Sequence, residues 1–133
     1  MSLELLSEGD PRLVASARIG AAWAAIAAVD ALDRRDERDR MRALLADRPR
    51  PLDREERPGH LTGSALVVDP AATRTLVLHH AKLGIWVQPG GHADGDANLA
   101  AVALREATEE TGIAGLRIHP TAVDLDIHAV SYT

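Results

Sequence analysis

Ile19, Trp23 and Ile26 recur at helical spacing inside an alanine-rich run, a pattern that predicts an amphipathic helix. Asp10 suits the N-cap and Pro11 the first helical position, so the helical stretch is expected to open near residue 10. A second helix is expected from Asp33 to Leu45, with Met41, Leu44 and Leu45 as its apolar contacts. The charges of DRRDERDR, residues 33–40, read as a solvated face of that helix. Residues 48–59, RPRPLDREERPG, hold three prolines and mark a boundary. The division expected is a helical extension over 1–50, a linker over 51–59 and a second domain over 60–133.

After the prolines the pattern changes to strands and turns. LTGSALVVD and TRTLVLHH are β-rich and separated by PAA, which predicts an adjacent pair of strands. GIWVQ predicts a third, running into Pro89-Gly90-Gly91, and Trp86 within it is expected in the core, with base stacking as the sharper alternative. A helix from about Asn98 to Thr111 should close at Gly112 in the left-handed conformation. Leu125 and Ile127 then alternate with Asp124, Asp126 and His128, as a strand would. Strands on either side of a helix indicate an α+β class. The chain stops at Thr133 in or just after this strand, and part of the domain is expected to lie outside it.

Composition narrows the function. The chain has 133 residues, and its apolar share of 46% includes 24 alanines and no Phe, so the core must rest on Leu, Ile and Val. Cysteine is absent, which removes disulfides, thiolate metal sites and a Cys nucleophile. A net charge of −5 argues against a nucleic-acid polymer as partner. No apolar run approaches a membrane span, and Glu4, Glu8 and Asp10 interrupt any signal peptide, so a cytoplasmic location is expected.

The helix near residue 105 carries the chemistry. Glu106, Glu109 and Glu110 stand at i, i+3 and i+4 and share a face with Leu99, Val102 and Ala103. Glu109 and Glu110 lie in the last turn, where the helix dipole makes a carboxylate cost about 0.3–1 kcal/mol. Each close pair of carboxylates adds about 0.7 kcal/mol in water and about 3 kcal/mol at an effective dielectric of 20. A divalent cation over the face would remove that repulsion, and hard cations prefer carboxylate oxygen. A solvated acidic helix end is the plain alternative. Upstream, Gly90-Gly91 is read as lying between strand and helix, where missing Cβ atoms let backbone approach an ion or phosphate.

As one string, GGHADGDANLAAVALREATEETGI resembles the Nudix box. Gly91, Arg105, Glu106, Glu109, Glu110, Gly112 and Ile113 all fall in register with that pattern. Two positions depart from it: Ala97 stands where the first Glu belongs, and Ala107 replaces a larger aliphatic. The resemblance extends less tightly from about Pro58 to Val130 and does not cover residues 1–50. It implies a mixed β-sheet with the box helix packed on it and the helical extension in front. It further implies a hydrolase of phosphoric anhydride bonds that uses Mg²⁺ or Mn²⁺ and water. Its substrate would be a small molecule with a nucleoside diphosphate linked to another moiety.

By position, Glu106, Glu109 and Glu110 would hold the metal, with the Gly90 carbonyl as a further ligand. Arg105 would hold a glutamate in place, and Glu106 or Glu109 would act as base unless a later loop supplies one. Gly91, His92, Asp94 and Asp96 are the candidates for phosphate or substrate contact, the two aspartates also offering a carboxylate in place of the one Ala97 lacks. Ala97→Glu is therefore expected to leave activity unchanged or to improve it. His79 and His80 point to opposite faces of a strand, while His60, His119 and His128 read as surface or strand residues. Two readings compete with the hydrolase. A silent Nudix-fold nucleotide-binding or regulatory module is one; isoprenoid diphosphate isomerase chemistry is the other, and it would need a cysteine. The Trp23 stripe is expected to pack on the box domain or on a second subunit, which leaves a homodimer open, and residues 10–46 should supply no ligand.

Overall fold

The computed structural model describes residues 4–129. Three helices carry most of the regular structure: α1 (Ile19–Ala27), α2 (Arg35–Asp47) and α3 (Leu99–Thr111). The strands are short. They are β1 (Leu6–Ser7), β2 (Thr62–Ser64), β3 (Val67–Val68), β4 (Thr75–Leu76), β5 (Leu78–His80), β6 (Ile85–Val87), β7 (Gly90–His92) and β8 (Arg117–Ile118). The α+β class is as expected. The mixed sheet is not: among the described residues the strands form four separate antiparallel pairs, β1–β8, β2–β7, β3–β4 and β5–β6. Pro89, in the chain between β6 and β7, has no N–H to donate to a ladder. The expected pairing around the PAA turn is present, with Val67 opposite Leu76.

The N-terminal stretch departs from its local propensities. Asp10 does cap a helical turn, accepting from the Arg12 N–H at 2.8 Å, but only the 3-10 turn Pro11–Leu13 follows. The chain then runs without regular structure until α1. Its backbone groups are spent on the start of α3 instead: Asn98 Nδ2 donates to the carbonyls of Arg12 and Val14, and the Ala97 N–H donates to Ser16 at 2.6 Å. Tertiary hydrogen bonds have replaced intrahelical ones.

Helix α3 forms as its ends predict. The Asn98 side chain accepts from the Ala101 N–H, and Gly112 ends the helix at φ +70° with its N–H on the Thr108 carbonyl. One side of α3 lies on β2 and β7. A Cβ on Gly63 would stand 2.8 Å from Val102 Cγ1 and 3.0 Å from the Ala103 backbone nitrogen, so only glycine lets strand and helix approach this closely.

The same helix also receives the N-terminal part. Ala22 and Ile26 of α1 and Leu45 of α2 join Leu61, Ala97 and Val102 in one core. The Trp23 stripe thus packs within this chain, with Trp23 itself half-buried and the Arg42 guanidinium 5.3 Å from the centre of its ring. Residues 51–59, expected as a linker, are pinned: Pro51 and Leu52 are buried, and the buried Glu56 accepts from Arg48 Nε at 3.0 Å. Within DRRDERDR, Arg34, Glu37 and Arg38 are half-buried, unlike a wholly solvated face. Arg34 pairs with Asp124 at 2.8 Å and Arg38 donates to the Val29 carbonyl at 2.6 Å.

Two strand expectations need correction. Leu125 is buried and its neighbours Asp124 and Asp126 are exposed, yet residues 124–128 join no ladder among the described residues. Trp86 is 68% exposed, not in the core. It lies on the β5–β6 hairpin, whose strands pair only with each other among the described residues, and its ring is tilted against that of His79 with ring centres 5.0 Å apart.

Candidate functional site

The site is built where α3 crosses β7. Gly90 and Gly91, read from the sequence as a connecting loop, are themselves strand residues, with Gly91 opposite Gly63 and Gly90 opposite Ser64. This double glycine leaves room for Glu106. A Cβ on Gly91 would lie 2.6 Å from Glu106 Oε2, so the carboxylate rests directly on the strand backbone, and its side chain is only 19% exposed.

The other box residues fan out around this contact. Arg105 is held from three sides: Nη1 lies 3.7 Å from Asp96 Oδ2, Nε lies 3.8 Å from Glu106 Oε1, and Nη2 points to the His92 carbonyl at 3.4 Å. Glu110 sits one turn beyond Glu106. Its carboxyl is held above the ordinary carboxylate range by partial burial first, and also by the negative charges of Glu106 and Glu109, while the Gly90 N–H works in the opposite direction. Glu109 and Glu110 are exposed, whereas Glu106 is half-buried. Glu109 lines a cleft of about 300 Å³ together with Leu13, Ala15, Asp96, Arg105 and Thr108.

The four residues expected to touch phosphate or substrate divide among different partners. Gly91 supports Glu106. His92 Nδ1 meets His60 Nε2 at 3.0 Å, and His60 is pushed below its ordinary value by burial first and by His92 next. Asp94, at φ +50°, is exposed and clasped by Arg54 at 2.8 Å, which lowers its carboxyl. Asp96 is 9% exposed and accepts from the N–H groups of Ser16 and Asn98. Spacing alone could not reveal three of these partners. Ser16, Arg54 and His60 lie 80, 40 and 32 residues from the groups they meet.

Ala97 has a structural explanation. It is completely buried, in the core where Ala22 and Ile26 of α1 converge. A glutamate there would be driven into apolar packing.

The glutamates suit a hard divalent cation by kind, since all offer carboxylate oxygen and their mutual repulsion would be relieved by positive charge. They do not form a ready cage: among the described residues no three Asp, Glu or His side chains converge closely enough to hold a metal ion. Among the same residues no helix is long and apolar enough to cross a membrane. No curated protein and no solved structure gave a match to the chain. A family model described as the NUDIX domain matches residues 58–132, which takes in β2 to β8 and the whole of α3. The chain therefore belongs to the NUDIX domain family, whose members as a rule hydrolyse phosphoric anhydride bonds.

Proposed function

We propose that the chain is a pyrophosphohydrolase dependent on Mg²⁺ or Mn²⁺, acting on a small molecule in which a nucleoside diphosphate is linked to another moiety. The observation that carries this reading is the placement of Glu106 against Gly91 with Arg105 braced beside it and Glu109 lining a cleft next to Arg105. Glu106, Glu109 and Glu110, with the Gly90 carbonyl, are the groups that would hold the cation. When bound, the cation would supply charge neutralisation for the diphosphate and acidify a water nucleophile. The protein's own part is to hold these oxygens and to accept a proton. Glu109 is the better base of the two candidates, because it is exposed on the cleft, whereas Glu106 is mostly buried and engaged by Arg105. Arg105 keeps Glu106 in one rotamer by attraction across 3.8 Å.

The test is a divalent-metal titration of the full chain with a panel of nucleoside diphosphate derivatives. Millimolar Mg²⁺ or Mn²⁺ should raise the melting temperature through ligand linkage. Glu109→Gln should cost about a hundredfold or more in turnover while the fold is kept. Wild-type turnover in that variant would remove Glu109 from the site. A silent nucleotide-binding module is the second reading, favoured by the lack of a converged ligand cluster among the described residues. Binding of the same nucleotides with no metal-dependent hydrolysis of any of them would select it.

A further inference from the structure

We propose that Asp96 is a positioning residue that couples the N-terminal segment 12–16 to Arg105, and through Arg105 to Glu106. The inference rests on the reading of Glu106 as part of the site, and it concerns a part of the chain outside the residues that match the family.

The two oxygens of Asp96 have separate tasks. Oδ1 accepts both backbone bonds, from the Ser16 N–H at 3.0 Å and from the Asn98 N–H at 2.9 Å. Oδ2 faces Arg105 Nη1 at 3.7 Å. The carboxylate is over nine-tenths buried, so its charge is poorly screened and its partners are fixed by packing. Around it the segment is laced to α3 by three more bonds, from the Ala97 N–H to the Ser16 carbonyl and from Asn98 Nδ2 to the carbonyls of Arg12 and Val14. On its far side Arg105 meets Glu106 Oε1 and the His92 carbonyl. The guanidinium is thus shared between two carboxylates, one anchored by the N-terminal segment and one resting on Gly91. Weakening the first lets Arg105 move toward the second and neutralise it. The N-terminal segment therefore sets how much negative charge Glu106 presents.

The division of labour makes the idea testable with one conservative change. Asp96→Asn can keep Oδ1 and both backbone bonds while turning a donor toward Arg105. In the full chain this variant should keep its melting temperature and the slow amide exchange of Ser16, yet bind Mn²⁺ about tenfold or more weakly. The loss should nearly vanish in an Arg105→Gln background, because the two residues act as one unit. Asp96→Ala should in addition speed exchange at residues 12–16. Wild-type Mn²⁺ affinity in a folded Asp96→Asn protein, or an equal loss with and without Arg105, would overturn the proposal. Failure of the wild-type chain to bind Mn²⁺ would sink the hydrolase reading instead. The Arg105 Nε–H resonance then decides the matter, since it must move in Asp96→Asn if the coupling exists and stay fixed if it does not.

Discussion

Two glycines at the helix–strand crossing separate stability from chemistry. At Gly63 the space for a Cβ is taken by Val102 and by the backbone of Ala103, which cannot yield without moving α3. Gly63→Ala should therefore cost about 1–3 kcal/mol in a denaturant melt. At Gly91 the obstacle is the carboxylate end of Glu106, a side chain that can swing away. Gly91→Ala should leave stability within about 1 kcal/mol of wild type and weaken Mn²⁺ binding about tenfold, because it displaces the proposed ligand. At Ala97 the expectation drawn from the pattern concerned activity, and burial adds a cost in stability. Ala97→Glu restores the family's residue in sequence but puts a carboxylate among Ala22, Ile26 and Val102. A loss of at least about 3 kcal/mol should follow, measured as the midpoint of thermal or urea unfolding. An unchanged midpoint would show that α1 can move aside.

Helix α1 is held by what it touches on α3 and α2, since nine residues are too few for independent stability. The stripe predicted by its spacing is real, but its members differ in burial: Ile26 is 2% exposed, while Trp23 lies only half-buried beneath Arg42. A fully buried indole would cost about 3–5 kcal/mol on truncation. Trp23→Ala should fall below that, near about 2 kcal/mol, and Arg42→Ala should cost about 0.5–1 kcal/mol through the lost cation–π contact. Turnover per folded molecule should stay within a few fold in both, because neither residue lines the cleft that holds Arg105 and Glu109. The cleft-lining segment before α1 is a different matter. Leu13 and Ala15 line the same cleft as Glu109, so this stretch shapes the cleft with apolar side chains.

Across the whole molecule, the His60–His92 contact makes stability depend on pH. One ring nitrogen must accept from the other at 3.0 Å, which a doubly protonated pair cannot do. His60 takes up its proton in the folded state only below its ordinary value of 6.5, chiefly because burial disfavours the charge. The unfolded chain then binds more protons between the lowered value and pH 6.5, so stability rises with pH through that window and is complete above it. The melting temperature should drop on acidification below about pH 6.5. His60→Asn should flatten that part of the profile; an unaltered slope would place the titrating group elsewhere.

What the sequence determined by itself was local or periodic. The boundaries of α3 follow from Asn98 and Gly112, and the box register follows from spacing, because capping and helical periodicity act over a few residues. That the runs flanking PAA would pair was legible for the same reason, a short turn between two β-rich runs, while the register of Val67 opposite Leu76 was not. The tertiary structure alone decided the rest. It made strand β7 out of a glycine pair read as a loop, left Trp86 in solvent, and broke one expected sheet into four pairs. It also joined the two halves of the chain through Asp96, Ser16 and Asn98. Those outcomes depend on which distant backbone groups remain unpaired and which apolar face arrives to cover a neighbour. Both quantities are set by packing between segments far apart in the chain, and no window of local residues contains them.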